Sequence, residues 1–346
     1  MPKMIPPPHS LATGVGALPH TDPRTACDDV LEIFSRFPYV PTLPDRGLLE
    51  SIVFCDSEQL PGRVIKENRL LYDSTADHTA ATEKVYMDYI EGNYAPYALH
   101  YEYASGFTDM MSRNLSQAMA LKCQVTGPVT FGMQVVDTNK RPIYYDSQLA
   151  DALSKMLALR ARWCEVEMKK RTGVGETLVV LNEPYLASLG SSVVPVDEDM
   201  VRTGWEDIAG LVEGGLGIHC CSNTDWEFVL SLKPSVVSID AYTTAKEFLL
   251  YTDSLVTYME EGGVVAWGIV PAEHKIFATE TPDSLCQKYL DIRTRVCQHM
   301  PEYLFDAQSL ITPSCGIRFA DRSGALDIMN AAKYISRHIR NKENMA

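Results

Sequence analysis

Eight short apolar runs, separated by long stretches of helical periodicity, constrain this chain more than any other feature. They fall at residues 12–18, 39–43, 121–125, 177–181, 217–221, 235–240, 264–269 and 310–312. Several are β-branched and do not alternate, as in Leu178-Val179-Val180-Leu181 and Val236-Val237-Ser238-Ile239. A run that is apolar on both faces is covered on both, the setting of a parallel strand between helices. The gaps carry helix signals. Asp22-Pro23 combines an N-cap with a first-turn proline, and Ala26, Val30, Ile33 and Phe34 follow as a stripe. Residues 147–171 form the longest helical pattern, Thr281-Pro282 opens another, and residues 325–339 make the last. Gly173, Gly214 and Gly262 stand shortly before strands and read as turn punctuation. Eight strands alternating with helices over 346 residues predict an α/β fold, a (β/α)8 TIM barrel, as one domain across residues 1–346. Residues 1–9 read as an extended, proline-rich lead-in, and residues 45–120 as an enlarged connection between the second and third strands. The competing arrangement is an open doubly wound sheet, but no GxGxxG follows the first strand, so nucleotide binding has no support.

Charge and cysteine content narrow the chemistry. Lys plus Arg number 31 against 45 Asp plus Glu, a formal charge of −14. Such a surface suits neither nucleic acid nor an anionic membrane. The longest useful apolar run, residues 264–270, contains Gly268 and falls far short of the roughly 20 residues of a membrane span. The opening MPKMIPPPHS has no apolar signal core, so a cytoplasmic protein is expected. Nine cysteines are an odd number on a chain of this kind, which favours free thiols or metal ligands over a disulfide framework. Cys27, Cys55, Cys123, Cys164, Cys286 and Cys297 read as small hydrophobes. Cys220, Cys221 and Cys315 stand in a different context.

Barrel enzymes place their working residues at the carboxyl ends of the strands. Polar and ligand-type residues gather at those ends here, and the fifth run ends in His219-Cys220-Cys221-Ser222. Period-2 geometry points His219 and Cys221 to one face and Cys220 to the other. With that face at the barrel mouth, Cys315 after the eighth run reaches the same place. One imidazole and two thiolates suit zinc, and three protein donors leave a fourth position open, as in catalytic sites. The competing reading is incidental packing of the three side chains. Zinc has no redox chemistry and acts as a Lewis acid on water or on a thiol. Thiolate donors already give electron density to the ion, which favours a nucleophilic thiolate over an acidified water, hence thiol alkylation over hydrolysis.

At these residues the sequence resembles the catalytic barrel of cobalamin-independent methionine synthase, within the superfamily that includes uroporphyrinogen decarboxylase and the corrinoid-linked methyltransferases. The resemblance rests on Thr13-Gly14-Val15-Gly16-Ala17-Leu18-Pro19, Thr126-Gly127-Pro128-Val129-Thr130, Leu181-Asn182-Glu183-Pro184, Ile218-His219-Cys220-Cys221-Ser222, Ser238-Ile239-Asp240 and Pro313-Ser314-Cys315-Gly316, in that order along most of the chain. It implies zinc held by His219, Cys221 and Cys315, with Asp240 in place of the family's glutamate, and S-methylation of a thiol such as homocysteine. It also implies substrate contacts at Gly16, Asn182 and Glu183, and a proton donor or substrate contact at His274. The chain departs from the family at Ala17, which replaces a serine, and at Asn182, which replaces a carboxylate expected to meet the substrate ammonium. With Asn182 an amide, Glu183 is the carboxylate left at that strand end to take the ammonium. A chain with room for one barrel implies, by comparison with single-barrel relatives, a methyl group drawn from methylcobalamin on a separate corrinoid protein. The alternatives are a uroporphyrinogen decarboxylase-like carboxy-lyase and a non-catalytic zinc- or corrinoid-binding protein.

Overall fold

The computed structural model describes residues 2–191 and 194–343. Residues 1, 192–193 and 344–346 of the expected single domain lie outside the described residues. The strands are β1 (Leu11–Ala12), β2 (Arg63–Lys66), β3 (Arg69–Tyr72), β4 (Ala120–Thr126), β5 (Glu176–Asn182), β6 (Gly215–Cys220), β7 (Val236–Ile239), β8 (Val264–Val270) and β9 (Ser309–Pro313). The pair β2 and β3 forms a small antiparallel hairpin. The other seven form one sheet in the order β1-β9-β8-β7-β6-β5-β4, with every neighbouring pair parallel. Helices connect the parallel strands, and the first strand lies beside the last, so the sheet curls as a barrel does.

The expected closed barrel of eight strands is not what forms. The curled sheet has seven strands and is a half-barrel. Residues 39–43, expected as the second strand, contribute only isolated bridges, Tyr39 to Lys122 on β4 and Thr42 to Ala17 beyond β1. The reason lies in Pro38, Pro41 and Pro44, which have no N–H to give a ladder. Val40 donates to the Lys122 carbonyl while Thr42 donates to the Gly16 carbonyl. Residues two apart in a regular strand face the same neighbour. These opposed bonds mean that the chain turns over at Pro41. The first strand, expected over residues 12–18, is likewise reduced to two residues.

The two faces of the sheet are packed differently. One carries a small apolar cluster that includes Leu11, Ala120, Leu178, Val180, Val236 and Leu310. Ile5, from the lead-in, belongs to it and plugs that end. The other face is buried under the helices in a much larger core. The longest helix, Ser147–Thr172, matches its sequence pattern; Asp146 caps its start and Gly173, at φ 70°, ends it. The connection over residues 45–120 folds back over the end of β4, where the Thr126 amide donates to Asp56 Oδ2 at 2.8 Å. Among the described residues no helix is long and apolar enough to cross a membrane.

Candidate metal centre

Alternation along β6 does what the spacing predicts. Cys220 packs into the core under the helices, where burial pushes its thiol up to about 12. His219 and Cys221 face the other way and meet Cys315, which follows β9. The donor atoms of His219, Cys221 and Cys315 all lie within 4.8 Å of one another. An ion about 2.0–2.3 Å from each donor would draw them only slightly closer.

His219 carries the strongest sign that the cluster is built for an ion. It is 4% exposed. Its Nδ1 is 2.9 Å from Ser238 Oγ, the residue paired with it in register on β7. Its Nε2 is buried without any partner. A buried polar atom left unpaired costs about 1–3 kcal/mol. With the Nδ1 proton donated to Ser238, Nε2 presents a lone pair to the two sulfurs, the arrangement in which an outer hydroxyl fixes a ligating histidine. The thiols show the same disposition. The Cys315 thiol donates to the Cys221 sulfur, which lowers Cys221 and pushes Cys315 up. One imidazole nitrogen and two sulfurs form a donor set that fits zinc.

The other expected site residues divide. Asp240 is not part of the donor group. It caps the helix Ala241–Phe248, and Thr243 donates to both of its carboxylate oxygens, from N at 3.0 Å and from Oγ1 at 2.6 Å. Burial and then the nearby Cys221 push its carboxyl up, against those bonds. Glu183 does not face the cavity beside the cluster. Its carboxylate accepts from the Val129 and Thr130 amides at 3.0 and 2.8 Å and from Thr130 Oγ1 at 2.6 Å. Burial pushes it up to about 7 in spite of those donors. Asn182 lines the cavity, and its Oδ1 accepts from Gln124 Nε2 at 2.5 Å. Gly16 lies between two cavity residues, Val15 and Ala17. His274 is exposed at the start of the short helix His274–Phe277, with its ring against Gly324, and is not among the cavity residues.

The cavity itself has a volume of about 210 Å³. That lies below the roughly 300–1,000 Å³ of drug-sized ligand sites and suits a molecule of amino-acid size. Besides the cluster it is lined by residues that sequence patterning missed. Glu50 is 4% exposed; its Oε1 accepts from Ser105 Oγ at 2.6 Å and from Arg46, while Oε2 is buried with no partner. Asp56 also lines it, held by the Thr126 amide. Between them Val53 adopts φ 63°, a left-handed conformation that is costly for a β-branched residue. Its amide donates to Thr126 Oγ1 at 3.3 Å, which ties the turn to the end of β4. No periodicity marks this stretch. Ser238 left a signal in the sequence: it is the polar residue in an otherwise apolar run.

Comparison with known proteins bears on the fold. No protein-family model matches the chain, and no curated protein matches it in sequence. Its structure is similar to that of a B12-independent methionine synthase from Shewanella sp. W3-18-1, solved in complex with selenomethionine, at a TM-score of 0.60 and 13% identity, covering 97% of this chain and 99% of that one. The two chains share a fold over nearly their whole lengths.

Proposed function

We propose that the chain is a zinc-dependent thiol S-methyltransferase, acting on an amino-acid thiol of the homocysteine type. The unpartnered Nε2 of His219, aimed at Cys221 and Cys315, is the observation that carries this reading. His219, Cys221 and Cys315 would hold the ion. Zinc supplies a Lewis acid that keeps an acceptor sulfur deprotonated and nucleophilic near neutral pH. The rest of the cavity supports a zwitterion. The free oxygen of Glu50 suits an ammonium, and with Asp56 beside it replaces the carboxylate that Asn182 does not supply. The Asn182 amide, with its oxygen engaged by Gln124, turns N–H donors toward a carboxylate. Arg318 at the rim adds a cation for the same group.

The transferred group is then a methyl carried on a good leaving group, attacked in line by the sulfur. Methylcobalamin on a separate corrinoid protein has no such support: no cavity residue favours it, and the similar structure, of about the same length, is named B12-independent. A carboxy-lyase acting on a polyanionic porphyrinogen is less well supported, because the cavity is lined by one arginine and two acidic residues.

The test is metal analysis of purified protein followed by a thiol panel, with methylcobalamin and methyl-folate offered separately. About one zinc per chain and methylation of homocysteine by one donor are expected. Glu50→Gln should retain zinc and weaken homocysteine binding by about 10-fold or more, the worth of a charge-assisted contact. Protein that binds no zinc, or that binds zinc but shows no new Zn–S contact by X-ray absorption when thiol is added, refutes the reading.

A further inference from the structure

Lys122 is an unexpected residue inside a curled sheet. It lies on β4, on the same face as Gln124 and Thr126, and is 4% exposed. Among the described residues no carboxylate pairs with it. An ammonium buried without an anion is costly, and burial alone pulls Lys122 down to about 7. A neutral amine still has two N–H donors, and Lys122 has two acceptors for them. These are the carbonyl oxygens of Gly14 and, at 3.1 Å, Val15.

The place of those carbonyls gives the lysine its purpose. Gly14 and Val15 belong to the stretch beyond β1, beside the proline-interrupted segment where a regular eighth strand would have supplied N–H groups. Lys122 therefore reaches from β4, one edge of the sheet, to the continuation of β1, the other edge. Val15 and Ala17 line the cavity. A Cβ on Gly16 would lie 1.7 Å from Gln124 Oε1, so the Gly16 backbone is pressed flat on Gln124, two residues along β4 from Lys122. Gln124 in turn holds Asn182. The result is one continuous wall, and none of it belongs to the donor cluster at the ends of β6 and β9.

We infer that Lys122 is a positioning residue: by bonding Gly14 and Val15 it joins the two edges of the half-barrel and sets the wall against which the thiol substrate is bound, without touching the metal donors. The inference rests on the proposed function for the identity of that substrate. The test uses the full chain loaded with zinc, in wild-type form and as Lys122→Met, with zinc content, homocysteine affinity, KM and kcat measured together. Lys122→Met should keep its zinc and lose affinity for homocysteine by roughly tenfold or more, with KM moved more than kcat. Lys122→Ala prepared in propylamine should regain affinity, because the amine replaces the lost donors, whereas propanol should serve less well and pentane not at all. A Met variant with unchanged KM, or one that loses zinc in proportion to thiol binding, overturns the inference. Should Lys122→Met fail to fold, removal of propylamine from Lys122→Ala without a rise in KM overturns it equally. Wild-type protein that holds zinc but binds no thiol would overturn the functional reading and this inference with it. Wild-type binding matched by Lys122→Met overturns this inference alone.

Discussion

Deleting one hydroxyl, in Ser238→Ala, separates a metal site from three side chains that merely pack together. Ser238 is buried, and its Oγ is 2.9 Å from His219 Nδ1. With Nδ1 as the donor, that bond keeps the lone pair of Nε2 on the sulfur side. Without it neither nitrogen is fixed, and the imidazole must adopt the productive tautomer and orientation at its own expense. The direct loss is one buried hydrogen bond, about 0.5–1.5 kcal/mol. Outer partners of ligating histidines are worth about 10–100-fold in metal affinity, or about 1.4–2.8 kcal/mol at 1.4 per decade. The expected result is therefore a zinc Kd raised about 10–100-fold, measured by competition with a chromophoric chelator at fixed pH. Ser238→Thr, which keeps a hydroxyl, should lie much closer to wild type. Melting of the metal-free protein controls for a general loss of packing. If Ser238→Ala binds zinc as tightly as wild type, or weakens the zinc-free protein as much as the loaded one, His219 does not ligate through Nε2 and the argument fails.

Three further outcomes follow from the geometry. Cys315→Ser removes one of the three donors; sharing the roughly 10–16 kcal/mol of a four-ligand zinc site equally gives about 2.5–4 kcal/mol per ligand, so the zinc Kd, measured by chelator competition, should rise by about 10²–10³-fold. Asp240→Asn should keep zinc within a few-fold, since both Asp240 oxygens are already engaged by Thr243; a loss as large as that of Cys315→Ser would make Asp240 a ligand. Glu183 is pushed from 4.5 up to about 7 by burial, so folding favours its protonated form. Its contribution is then fully present below the unfolded value and is lost as pH rises through the folded one. Urea melts should show wild type losing about 2–3 kcal/mol relative to Glu183→Gln between about pH 5 and pH 8. Parallel profiles across that range would mean that the carboxylate is ionised throughout.

Much of this architecture can be read from residue pattern, and the failures have physical causes. The runs at 177–181 and 264–269 became β5 and β8 because they are apolar on both faces, which only a covered parallel strand satisfies. The run at 39–43 looks equally apolar, but side-chain hydrophobicity does not report the missing N–H groups of Pro38 and Pro41, and hydrogen bonding decided the outcome. The cluster of His219, Cys221 and Cys315 was legible because alternation is a strict rule: it sends His219 and Cys221 one way and Cys220 the other. The same rule, applied to Asn182 and Glu183, sends the second away from the cavity that takes the first. Family resemblance had joined them as substrate contacts; Glu183 instead turns into the helix Pro128–Gln134, where a Cβ on Gly127 would lie 2.2 Å from its carboxyl. Glu50 was illegible for a different reason. Its place depends on short helical turns, Pro44–Arg46 and Leu48–Glu50, and on the strained φ of Val53, none of which has a periodic signature.

His219, Cys221 and Cys315 are unevenly distributed along the polypeptide. Two leave β6 together, and the third arrives only after β7, β8, β9 and the helices between them have been threaded. An ion gripping all three is a clasp on that long intervening loop, and a clasp shortens the list of open shapes available to a chain that has begun to unravel. Metal supply would then govern how long the molecule survives as well as whether it works. Without the ion, the segment between Cys221 and Cys315 would lose that restraint, and proteolysis of metal-free protein should report it there.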